Sequence, residues 1–143
     1  MTTEEVDAFL RTERTCRVGT VGADGRPHVS PLWYAWDGTS LWLYSIVRSR
    51  RWADLARDPR VSVVVDAGHD FFDLRGVELI GSVEPVGEQP RCGQPQPLLV
   101  EPERIFAERY SGGTMIYDER HAWLRLQPET VISWDFRKIG GSR

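Results

Sequence analysis

The sequence predicts a mainly β protein, a small six-stranded antiparallel barrel with short helices inserted. Three observations lead there. Apolar and aromatic runs of strand length follow one another with little between them. Asp-Gly and other turn pairs join neighbouring runs, which favours local hairpins over crossover connections. Only three stretches carry a helical period, and all are short. The 143 residues are read as one domain, 1–143, long enough for one core.

The elements follow in order. TTEEVDAFLRTE opens as a helix: Thr2 and Glu5 fit a capping box, acidic residues occupy the first turn, and Val6, Phe9 and Leu10 share a face. From Cys16 to Val47 the period changes to that of strands, broken at Ala23-Asp24-Gly25 and at Asp37-Gly38 into three runs. Pro31 lies inside the second run. It cannot donate to a ladder, so it marks an edge or an interruption, a place where a ligand can meet bare backbone. Residues 50–57 read as a helix with Trp52, Leu55 and Ala56 on one face, ended by Asp58-Pro59. Val61 to Asp66 is nearly all apolar and is expected to be buried on both faces. Leu74 to Val86 alternates and carries two glycines suited to bending. GEQPRCGQPQP, residues 87–97, is a loop by composition, expected to border the pocket. Glu101 to Tyr110 is a helix with Pro102 in its first turn, and His121 to Gln127 and Val131 to Phe136 are expected as two final strands.

Composition narrows the function. Apolar residues make up 41% and charged residues 27%, as in ordinary globular proteins, and the net charge of −3 argues against nucleic acid as a general partner. No run approaches the ~20 apolar residues of a membrane span, so no membrane partner and a cytoplasmic location are expected. Cys16 and Cys92 form no metal or redox motif and read as two reduced thiols. His28, His69 and His121 have no ligand spacing, so no metal is expected.

One local feature stands against this acidic background. RSRR gathers Arg48, Arg50 and Arg51 around Ser49, a good N-cap for the following helix. A helix N-terminus already carries about half a positive charge, so arginines there are unfavourable unless an anion joins them. Free N–H groups, a serine hydroxyl and guanidinium forks together make a phosphate site. The alternative is a solvated basic surface paired with Asp54 and Asp58.

The segment YSIVRSRRWADLARDPRVSVVV, with VGTVGADGRPHVSPLWYAWDG before it and LRGVELIGSVEPV and LRLQPETVISWDF after it, resembles the pyridoxamine 5′-phosphate oxidase-like split β-barrel flavoproteins. DGRPHVSPLWY and DPRVSVVVD are most similar to the actinobacterial branch that uses the 5-deazaflavin coenzyme F-420. The resemblance implies an FMN-binding-like split barrel and a cofactor held at a homodimer interface. Arg50 and Arg51, helped by Arg48, match the positions that hold the cofactor phosphate. Tyr44 and Ser45 match positions beside the phosphate and ribityl chain, and Val29, Ser30, Pro31 and Leu32 match the strand running along the ring. Trp134 matches an aromatic position near the ring, and Arg75 and Gly76 match a contact from the partner side. The arginine and histidine that grip the substrate in pyridoxamine phosphate oxidases have no counterpart in FRKIGGSR, so the resemblance does not extend to that reaction.

The implied function is hydride transfer between F-420 and a small conjugated organic substrate. FMN in the same role is the alternative, and a non-catalytic flavin- or haem-binding module the third reading. F-420 adds an anionic oligoglutamate tail, for which Arg48 is suited and along which Arg137 and Lys138 would extend a groove. No catalytic side chain is expected, because the cofactor carries the chemistry. Solvent, Tyr110 or Tyr117 would supply a proton.

Overall fold

The computed structural model describes residues 1–140. Helix α1 (Thr3–Thr12) leads into β1 (Thr15–Val21), β2 (Pro27–Trp36) and β3 (Leu41–Ile46). Helix α2 (Arg50–Arg57) connects to β4 (Arg60–Ala67), a single 3-10 turn to β5 (Arg75–Val86), and α3 (Val100–Tyr110) to β6 (His121–Asp135), followed by α4 (Arg137–Gly140). Among the described residues the strands close an antiparallel barrel in the order β1-β2-β3-β6-β5-β4. The predicted fold class holds.

The local chemistry explains the elements. Thr2 and Glu5 form the capping box, and Gly25 and Gly38 take the positive φ that the two predicted turns need. Two apolar clusters hold the barrel. One fills its interior, with Leu10, Val18, Tyr34, Leu43, Val63, Leu79 and Leu126. The other lies between the outer side of the sheet and α3, and joins Trp42, Tyr44, Trp123, Leu99 and Phe106. The Tyr34 hydroxyl donates to the carbonyls of Leu10 (2.7 Å) and Glu13 (3.0 Å), fastening the end of α1 onto the barrel.

Three expectations are corrected. The two final strands are one, β6, running through Pro128. Its register against β5 skips between Ile80–Thr130 and Gly81–Pro128, so Glu129 is the extra residue of a bulge that bends the strand without ending it. Residues 61–66 are not buried on both faces. Val61, Val63 and Val65 point inward while Ser62 and Val64 are half exposed, because the outer face of β4 has no layer against it. Ala56 is exposed, and the buried face of α2 is Arg51, Asp54 and Leu55, with Trp52 packed against the interior cluster.

The 87–97 segment is an ordered structure with a charged core. Arg91, 4% exposed, donates through Nε and Nη2 to both carboxylate oxygens of Glu103 (2.9 and 3.2 Å) and also pairs with Glu88. Glu103 also accepts from Trp123 Nε1 and the Tyr117 hydroxyl, both at 2.9 Å. Cys16 is buried, which pushes its thiol up to about 12; Cys92 is exposed and its thiol donates to Glu88.

Candidate functional site

Helix α2 begins where the sequence places it. Ser49 Oγ accepts from Trp52 N (3.1 Å), and no acidic residue stands in the first turn. The three arginines then diverge. Arg48 and Arg50 are exposed and make no hydrogen bond or ion pair with a described residue. Arg51 turns into the barrel end and is only 9% exposed. Its Nη1 donates to Ser30 Oγ (2.6 Å) on β2 and its Nε to Ser45 Oγ (3.2 Å) on β3.

Neither Asp54 nor Asp58 neutralises this cluster. Asp54 accepts from Thr20 Oγ1 (2.9 Å) and pairs with Arg57 (3.2 Å), and Asp58 pairs with Arg60 (2.7 Å). Arg51 is therefore a buried guanidinium bound only to two neutral hydroxyls. Burial draws its pKa below the ordinary arginine value. A desolvated cation of this kind is costly unless an anion completes its surroundings.

The strands separate beside this cluster. β2 pairs with β3 only over Tyr34–Leu43, Ala35–Trp42 and Trp36–Leu41. Val29, Ser30, Pro31 and Leu32 pair with β1 alone, and their other edge carries no strand. Gly22 N donates to Arg26 O (2.8 Å), so the alternation of an antiparallel ladder turns the nitrogen of Pro31 toward that open edge. The proline costs no ladder hydrogen bond, which is why it is tolerated inside a ten-residue strand.

The remaining expected positions fall into two groups. Ser45 is part of the Arg51 arrangement. Tyr44, its neighbour, points to the opposite face and packs under α3 against His121 (4.9 Å between ring centres), Trp123 (4.5 Å) and Phe106 (5.4 Å). Gly76 and Trp134 are cross-strand partners, with Arg75 opposite Asp135. A Cβ at Gly76 would stand 2.5 Å from Trp134 Cζ2, so glycine there lets the indole lie flat on the strand. The register puts this group at the start of β5 and the end of β6, whereas α2, the end of β3 and the start of β6 lie at the other end of the barrel. One chain does not bring the two groups together.

Several expectations shift accordingly. Arg137 and Lys138 sit at the far end, paired with Asp135 (2.8 Å) and Glu5 (2.8 Å), and cannot extend a groove from Arg48. Tyr110 donates to the carbonyls of Arg14 (2.6 Å) and Tyr34 (3.1 Å), and Tyr117 to Glu103, so both hydroxyls are committed to structure. The residue that stands beside Arg48 is Arg120, from the turn before β6. Both line a crevice of about 500 Å³ with Ile46, Val47, Asp118 and Glu119. Nothing in YDERH marks that arginine in the sequence, since 71 positions separate it from the end of the RSRR quartet, 120 less 49. Among the described residues no group of three or more His, Cys, Asp or Glu side chains is placed to hold a metal ion, and no helix is long and apolar enough to cross a membrane.

Comparison with known proteins agrees with this geometry. Residues 2–135 match the family model described as pyridoxamine 5′-phosphate oxidase. A conserved hypothetical protein of Mycobacterium tuberculosis is 32% identical, with a TM-score of 0.81 over 98% of this chain and 88% of that one. At lower identity the fold is shared with an F-420 reductase (22%, TM-score 0.66, 88% of this chain and 94% of that one). It is shared too with the haem storage protein of Vibrio cholerae (20%, TM-score 0.70, 90% and 92%). No curated protein matches. With the family model spanning nearly its whole length and the split between β2 and β3 in place, the chain belongs to the pyridoxamine 5′-phosphate oxidase family.

Proposed function

We propose that this protein is an oxidoreductase that binds coenzyme F-420 through the α2 end of the barrel and passes hydride between it and a small conjugated organic substrate. The observation that carries the reading is Arg51, buried without a carboxylate beside a capped helix N-terminus and two unpaired arginines. A phosphate fits that set: it supplies the missing negative charge and accepts from Ser49, the free N–H groups and the forks of Arg50 and Arg51. The open edge at Val29–Leu32 offers backbone to a flat ring. When bound, the cofactor supplies the hydride; the chain supplies orientation and exclusion of water.

The reading includes a homodimer. The outer faces of β1, β2, β4, β5 and β6 expose Val29 (64%) and Ile132 (46%), with Pro31 and the half-buried Val64 and Ile80 between them. A two-fold axis across these strands would set the Arg75, Gly76 and Trp134 end of one copy beside the arginine end of the other, joining groups that lie apart in one chain.

The test is titration of purified protein with F-420 and with FMN, followed by fluorescence quenching, with the mass measured by sedimentation. The expected result is a dimer that binds F-420 more tightly than FMN and weakens with salt. Tight FMN binding without F-420 binding overturns the choice of cofactor, and a monomer overturns the shared site.

A further inference from the structure

We infer that Arg120 and Arg48 form a subsite for the anionic tail of the cofactor, and that Arg120 sets the preference for a tailed over a tail-less ligand. This rests on reading the α2 end as the phosphate site. The two side chains come from separate segments yet line one crevice, and the segments are tied by the hydrogen bond from Val47 N to Arg120 O (2.9 Å). Arg48 immediately precedes the Ser49 cap, so the crevice opens from the phosphate position.

The turn that presents Arg120 is built for it. Glu119 holds φ at 61°, a left-handed conformation that is unfavourable for glutamate. Asp118 fixes the turn by accepting from Arg120 N and His121 N, both at 3.0 Å, and lies 2.5 Å from His121 Nδ1. Its carboxylate is thus occupied. What faces a ligand is two unpaired guanidiniums against the single carboxylate of Glu119, a net positive crevice too polar for an apolar group. Carboxylates strung along a chain suit it; a lone phosphate, already held at α2, does not reach it.

The experiment compares F-420 carrying its oligoglutamate tail with the same coenzyme lacking it, by fluorescence quenching. The wild type should bind the tailed form more tightly, with the difference shrinking at high salt. Arg120→Ala should weaken the tailed form by about threefold to fivefold, the range for an exposed ion pair, and leave the tail-less form within about twofold. Glu119→Gln, which keeps the turn, should tighten the tailed form. If Arg120→Ala lowers both forms equally, or neither, the subsite is overturned while the phosphate reading stands. If the wild type does not bind the tail-less form, the phosphate reading falls and takes the subsite with it.

Discussion

Arg51→Met is expected to weaken cofactor binding by about 1.5–3 kcal/mol, roughly ten- to a hundredfold, while leaving the protein at least nearly as stable as the wild type. The two halves of that expectation have one cause. Arg51 is a desolvated cation that meets only Ser30 and Ser45 in the free chain. Methionine removes the cost of holding a charge out of water and fills similar space, offset by the loss of a donor to each serine hydroxyl. The bound state loses a charge-assisted fork that nothing else replaces. Fluorescence titration reads the first half and urea unfolding the second. A variant that binds as well as the wild type, or one that unfolds in buffer, would return Arg51 to a structural role. Arg50→Ala should show a smaller loss in the same titration, because its guanidinium is exposed and solvent screens it.

Arg91→Met is expected to destabilise the fold by about 3–5 kcal/mol, the largest effect of any single substitution outside the apolar core. Here the charge is paired, and removing it strands the partner. Glu103 would keep the hydrogen bonds from Trp123 and Tyr117 but lose both bonds from the guanidinium, and Glu88 would lose its counter-ion. Hydrogen bonding to Glu103 raises the Arg91 pKa against the opposing effect of burial, so the pair stays ionised across the pH range in which the protein would be handled. The urea midpoint reads the loss. Adding Glu103→Gln in the Arg91→Met background should recover part of it, since glutamine still accepts from Trp123 without leaving a buried charge. A single variant within about 1 kcal/mol of the wild type would show that the 87–97 segment is held by its backbone alone.

These two arginines also show where reading a sequence stops. RSRR was legible as an anion site because a cap, a helix start and three like charges are all local. The sequence could not say that Arg51 would turn inward while Arg50 stayed in water. That depends on which hydroxyls β2 and β3 present at the barrel end, and Ser30 and Ser45 are fifteen positions apart (45 − 30). Arg91 looked like one charge in a proline-rich loop. Only the packing of α3 over β6 brings Glu103 and Trp123 to it.

The sequence by itself determined the strand runs, the turns at Gly25 and Gly38, the Ser49 cap and the edge character of Pro31. Each follows from backbone preferences and side-chain period within a few residues. Tertiary structure alone decided that β6 runs on through a bulge at Glu129, that Gly76 and Trp134 sit at the opposite end of the barrel from the arginines, and that Arg120 rather than Lys138 flanks Arg48. Those outcomes depend on register between strands distant in the chain. Register is set by the burial of whole faces, a sum over contacts that no local stretch contains.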